Sequence, residues 1–219
     1  MRPRKQRLAD EGDVTSTQPE GLKEGMRAGR TKLLTEIAVV VALATVLGFL
    51  RLYRLPWGGS LSLKILPLLI LSLRRGPRAG ALAGGLTGAI TLILDPIILH
   101  PIQIGLDYFL PYVALGLTGY FAALPRTGIA LTGFVRLTAH VLSGVVYFAA
   151  YAPPTINVET YEFLSNSLGV SFPWLLQAWT VPWIYSFLYN GSVVIPETVI
   201  MVVIVPLLIL RLQKTGLHR

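Results

Sequence analysis

The sequence predicts an all-α integral membrane protein, a bundle of six transmembrane helices with both termini on the cytoplasmic side. Three observations carry this. Mean hydropathy is +0.62, and hydrophobic residues make up 53% of the 219 residues against 14% charged, far from the composition of a soluble domain. The apolar residues fall into about six runs between residues 33 and 212, separated by turn-forming Gly, Pro and basic residues. The basic residues also alternate by side, as membrane topology requires.

Residues 1–30 mix charges with Gly, Pro, Ser and Thr and contain no apolar run, so they are expected to form a flexible cytoplasmic tail rather than a signal peptide. Residues 31–219 are expected to form the membrane domain. Its first helix is expected at 33–50. A loop with a Pro-Trp-Gly-Gly turn follows at 51–60. The second helix, 61–73, ends on the basic turn Arg74-Arg75-Gly-Pro-Arg78, and the Gly-rich third covers 79–94. Asp95-Pro96 and His100-Pro101 bracket a break. The fourth helix is expected at 102–124 and the fifth at 129–151, with Pro125-Arg126-Thr127-Gly128 turning between them. Pro153-Pro154 opens a longer outer loop at about 153–182, and the sixth helix runs from 183 to about 212 with Pro196 and Pro206 inside it. A full span needs about 20 residues, so the second and third segments are short.

With the N-terminus inside, the inner face receives Arg74, Arg75, Arg78, Arg126, Arg211 and Lys214, besides Arg27, Arg30 and Lys32. The outer loops receive Arg51 and Arg54, with Lys64 just inside the second segment. The long outer loop carries Glu159 and Glu162 and no base. The net charge of +8 is thus a topology signal, and no nucleic-acid partner is expected. Absence of cysteine excludes disulfides, thiolate catalysis and Cys-ligated metals.

Gly76, Gly80, Gly84 and Gly88 recur every four residues, a smooth face read first as intramolecular helix packing. Ala38 and Ala42 make a smaller version on the first helix, equally suited to a partner.

Ionisable groups inside apolar segments carry the functional signal, because hydrocarbon penalises each by roughly 2.5–3.5 kcal/mol even on lenient scales. Asp107, Arg136, His140, Asn190 and Glu197 sit in such segments. At 1.5 Å per residue, Asp107 lies roughly 8 Å and Asn190 about 10 Å below the outer helix ends. His140 lies roughly 16 Å down with Phe148 above it, and Tyr185 is about a turn shallower than Asn190. Gln103 shares a face with Asp107, and Arg136 with His140. Helices four to six are therefore expected to enclose an outward-facing cavity suited to a cation. Blander readings stand beside this one: Asp107 neutralises Arg136, His140 is a hydrogen-bonded core residue, Trp179 and Trp183 belong to an interfacial belt, and Glu197 satisfies a helix partner or backbone freed by Pro196. No Walker A, His-Glu-x-x-His, Gly-x-Ser-x-Gly or metal-ligand cluster occurs, so neither enzymatic activity nor a cofactor or metal is expected.

Several stretches together resemble the thiamine-specific substrate-binding (S) components of energy-coupling factor transporters. They are Thr35-Glu-Ile-Ala38, Ser60-Leu-Ser-Leu63, the run from Ile65 through Arg74-Arg75-Gly76, Gln103-Ile-Gly-Leu-Asp-Tyr108, His140-Val-Leu-Ser-Gly144 and Tyr185-Ser-Phe-Leu-Tyr-Asn-Gly191. The resemblance implies a six-helix subunit that binds thiamine from outside and works with a membrane coupling (T) protein and two ATPases in the cell membrane. It implies that Asp107 and Tyr108 contact the ligand, that His140, Tyr185 and Asn190 bond to or pack on it, and that Phe148 stacks on it. Trp57 would belong to the outer loop acting as a lid, and Ala38 and Ala42 would dock the coupling protein. The chain departs from the family in having Asp107 for Glu, Phe148 for Trp and the inserted segment 154–182. These departures keep a thiamine precursor or another small vitamin open as the ligand. An intramembrane enzyme using Asp107, His140 and Glu197 is the alternative of a different class.

Overall fold

The computed structural model describes residues 20–55, 59–151, 162, 165–166 and 181–214. The chain divides into two units, residues 1–36 and 37–219. In the first, the described residues belong to helix α1 (Glu20–Phe49), in which Thr31 and Thr35 each donate to the carbonyl four residues back. α1 thus begins at Glu20, well before the expected residue 33. Glu24, Met26, Arg27 and Ala28 are good helix formers, and Glu24 and Arg27 stand at i,i+3. Local propensity therefore carries the helix past the end of the apolar run.

In the second unit, α1 buries Ile37, Val41, Ala44 and Gly48 on one stripe and exposes Ala38 and Ala42 beside it. An antiparallel hairpin follows, β1 (Arg51–Arg54) with β2 (Ser60–Ser62). The expected loop at 51–60 is thus largely a hairpin. Arg51-Leu-Tyr-Arg alternates too briefly to declare a strand, and only pairing with Ser60–Ser62 makes it one. Next come α2 (Ile65–Arg75), α3 (Pro77–Leu94), α6 (Pro125–Tyr147) and α7 (Val181–Lys214). Gly76, at φ +87°, makes the turn between α2 and α3.

The expected fourth helix is not one helix. It comprises α4 (Pro101–Ile104), a π-helical turn (Gly105–Phe109), α5 (Leu110–Val113) and a 3-10 stretch (Ala114–Phe121). Pro111 has no N–H to give the carbonyl of Asp107, so the regular ladder cannot continue through the turn before it. The widened turn holds Asp107 and Tyr108.

The glycine face of α3 packs within the molecule. A Cβ on Gly84 would strike the Tyr112 carbonyl, and one on Gly88 the Tyr108 carbonyl. α3 therefore lies backbone to backbone on the 105–121 segment and fixes the segment's height. Gly84→Ala is expected to melt well below the wild type in detergent, by about 1–3 kcal/mol of overpacking; an unchanged melting temperature would show that the contact yields freely.

Among the described residues, four helices are long and apolar enough to cross a bilayer: Glu24–Phe49, Pro77–Leu94, Pro125–Tyr147 and Val181–Leu212. The protein is a multi-pass membrane protein. α2, at 11 residues, rises only about 16 Å.

Candidate functional site

A cavity of about 160 Å³ lies between the hairpin, the start of α2, the end of α3, the 101–113 segment, α6 and α7. Asp107, Tyr108, His140, Phe148, Tyr185 and Asn190 all line it. Trp57 and Trp179 fall outside the described residues, as does nearly all of the 153–182 loop. Ala38 and Ala42 stand apart from the cavity on the exposed side of α1.

Asp107 is the best-anchored group. Its Oδ2 accepts from Gln103 Nε2 at 2.7 Å and from Ser143 Oγ at 2.8 Å. Its Oδ1 faces His140 Nδ1 at 3.1 Å, a contact in which the ring N–H donates. One oxygen is thus filled by two donors, while the other has a single donor and room for one more. The i,i+4 spacing that put Gln103 on the face of Asp107 is realised despite the π-helical turn. Ser143, three residues after His140 on α6, was a legible partner that the pattern analysis passed over.

Tyr108 has a different task from its neighbour. Its hydroxyl accepts from Ile97 N at 2.7 Å and donates to the Asp95 carbonyl at 2.9 Å. Its polar atom is committed to the break after α3, while the residue lines the cavity. Gln103 supports the same break, donating to Ile97 O and accepting from Leu99 N. The break therefore has defined geometry, which a reading of Asp95-Pro96 and His100-Pro101 as mere punctuation could not supply.

α7 is tied to α6 at the same level. Asn190 Nδ2 donates to Ser186 O at 3.0 Å and to His140 O at 3.3 Å, while Ser186 Oγ donates to Val141 O at 2.9 Å. A Cβ on Gly144 would strike Ser186 Oγ, so glycine lets the two helices approach here. The Asn190 amide nitrogen is thereby committed to the backbone, which turns the carbonyl end into its free functional end. Tyr185 leans on Tyr189, ring centroids 5.7 Å apart.

Arg136 does not neutralise Asp107. Its Nη2 meets Glu197 Oε2 at 2.8 Å, with both side chains buried. Among the described residues the Arg136 Nε and Nη1 atoms have no hydrogen-bond partner, and both residues line the cavity. Glu197 has the helix partner that was one of its two expected uses. Their separation of 61 residues hid the pair from a local pattern. Lys64 also reaches the cavity, with Nζ 3.3 Å from Thr91 Oγ1 and 3.2 Å from the Tyr112 hydroxyl. Among the described residues no three His, Asp or Glu side chains gather to hold a metal ion.

Chemically the cavity carries three carboxylates, of which Asp95 and Glu197 are taken by Arg51 and Arg136 while Asp107 is held by Gln103, His140 and Ser143. With them stand Lys64, the aromatic residues Tyr108, Phe148 and Tyr185, and a few oriented polar atoms. Such a set suits a small, flat, cationic ligand that also hydrogen-bonds.

Residues 34–181 match the family model described as thiamine transporter protein (Thia_YuaJ). The thiamine transporter ThiT of Bacillus subtilis is 28% identical over 194 residues, covering 80% of this chain and 88% of that protein. ThiT of Lacticaseibacillus paracasei is 26% identical over 197 residues, covering 81% and 86%. Among solved structures, ThiT from Listeria monocytogenes superposes with a TM-score of 0.65 at 22% identity, covering 85% of this chain and 97% of that one. That structural likeness speaks for a shared fold.

Proposed function

The chain belongs to the thiamine transporter protein family, and on that premise we propose that it is the substrate-binding membrane subunit of a vitamin importer, holding thiamine in the cavity beside Asp107. The observation that carries this reading is the Asp107 carboxylate. It is held by Gln103, His140 and Ser143, with Oδ1 left able to accept from a ligand. The thiazolium ring brings a fixed positive charge and the aminopyrimidine brings N–H donors. One carboxylate with aromatic walls serves both needs. Phe148 and Tyr185 stack on the ligand, and Asn190 and His140 set its orientation. Tyr108 contributes its ring face while its hydroxyl holds the 95–97 backbone.

In this reading the membrane domain has six spans: α1, α2, α3, the broken 101–121 segment, α6 and α7. α2 is too short to cross alone, so the hairpin completes the second span on the outer side, beside the cavity. Arg74, Arg75, Arg78, Arg126, Arg211 and Lys214 face the cytoplasm with both termini. The chain performs no chemistry on its ligand. It delivers thiamine together with a membrane coupling protein, which docks on the small exposed residues Ala38 and Ala42 of α1, and two ATPase subunits that supply the drive.

Calorimetric titration of the detergent-solubilised protein with thiamine tests the reading. A dissociation constant below about 1 µM, near −8.2 kcal/mol, is expected, with a neutral aminopyrimidine precursor binding more weakly. Tighter binding of the precursor would transfer the assignment to it. No heat from a folded sample would remove thiamine from the site.

A further inference from the structure

We propose that Asp95 is a positioning residue: its carboxylate latches the paired strands β1 and β2 against the cavity and thereby sets how long a ligand stays bound. Arg51 and Arg54 are three apart on β1, and in a regular strand such residues face opposite sides. The pairing of β1 with β2 has a bulge between Arg51 and Tyr53. The extra residue restores the two arginines to one side. Both reach the same carboxylate, Arg51 Nη2 to Asp95 Oδ2 at 2.9 Å and Arg54 Nη2 to Asp95 Oδ1 at 2.9 Å. Each oxygen holds one guanidinium, and among the described residues no other acidic side chain pairs with either arginine.

The latch has a wall of the cavity on one side and the candidate site on the other. Arg51, Leu55, Gly59, Ser60 and Ser62 line the cavity from the hairpin. Asp95 is the residue that ends α3, and its own carbonyl accepts from the Tyr108 hydroxyl, beside Asp107 in sequence. A covalent and hydrogen-bonded path therefore runs from Asp107 through Tyr108 and Asp95 to the hairpin. The ion pairs are partly exposed, with side-chain exposures of 25% and 54% for the arginines and 33% for Asp95. That exposure makes a releasable contact whose strength depends on salt. A hairpin of two short strands is marginal alone, so its closed position depends on such a tether.

The consequence for release rests on the thiamine reading, whereas the latch itself is testable without ligand. Hydrogen exchange of the hairpin amides is followed in ligand-free wild type, Asp95→Ala and Asp95→Glu at low and high salt. Radiolabelled thiamine is then chased from each. Asp95→Ala is expected to speed hairpin exchange and to release thiamine roughly threefold to tenfold faster, with association within twofold of wild type. Asp95→Glu keeps the carboxylate and recovers most of the effect. High salt moves the wild type towards Asp95→Ala and leaves that variant unmoved, a response that loss of a merely structural residue would not give. If Asp95→Ala fails to fold, Arg51→Gln with Arg54→Gln removes the same ion pairs from the exposed side. Unchanged hairpin exchange overturns the latch, and faster exchange with unchanged release overturns its role in retention. Absence of thiamine binding by the wild type overturns the ligand assignment, while exchange still decides whether Asp95 holds the hairpin.

Discussion

Asp107→Asn is expected to lower thiamine affinity by about 30-fold to 1,000-fold, the equivalent of roughly 2–4 kcal/mol. The substitution keeps the shape of the side chain and removes its charge. Two effects add. The cationic ring loses the carboxylate placed for it, and the new amide brings N–H donors into a position already met by three donors, from Gln103, His140 and Ser143. Ser143 can turn its hydroxyl to accept, but the Gln103 amide is held by Ile97 and Leu99 and cannot reverse freely. Parallel calorimetric titrations of wild type and variant read the result. A variant that binds thiamine as tightly as wild type would remove the carboxylate from ligand recognition and leave it a packing role between α6 and the 101–113 segment.

Glu197→Ala is expected to destabilise the fold by about 3–5 kcal/mol, a fall in melting temperature of about 6–20 °C for a chain of this size. Arg136 and Glu197 join α6 to α7 in a setting where each is less than a tenth exposed. Removing the carboxylate leaves a guanidinium whose Nε and Nη1 already lack partners, now with none at Nη2 from Glu197. The pair matters more for what its breaking would expose than for net attraction, because desolvating two charges offsets most of their Coulomb gain. Hence Arg136→Met combined with Glu197→Leu is expected to recover most of the loss. Thermal unfolding in detergent separates these outcomes; a Glu197→Ala protein that melts with the wild type would show that water reaches the guanidinium.

Both predictions involve α6, and α6 and α7 show how far apolar patterning reaches. The apolar runs are long, and period and hydropathy found them. α6 starts at Pro125 and α7 at Val181, within a few residues of the expected bounds. Asp107, His140 and Asn190 stand out because a polar group in hydrocarbon needs a partner, Tyr185 by its depth beside Asn190, and each lines the cavity. Where the expectation fell short, partners were remote or the backbone irregular. An Asp107–Arg136 pair is one of two readings that opposite sign leaves open, and in the folded chain Glu197 takes the guanidinium instead. The fourth helix was drawn as continuous because its composition is apolar throughout. Pro111 and the close approach of Gly84 and Gly88 break it into α, π and 3-10 pieces.

Segment composition alone identifies a membrane protein, roughly where its helices lie, and which polar residues need an explanation. It could do so because transfer to hydrocarbon is a property of each segment taken alone. The motif resemblance also reached the family from residues scattered along the chain. Folding selects which donors hold Asp107, that Glu197 rather than Asp107 takes Arg136, that the Tyr108 hydroxyl binds the 95–97 backbone, and that Arg51 and Arg54 meet on Asp95. Those are choices among chemically equivalent partners. Hydrogen bonds and ion pairs act over a few ångströms, so the winning partner is set by how closely the backbones approach, a quantity no single segment carries.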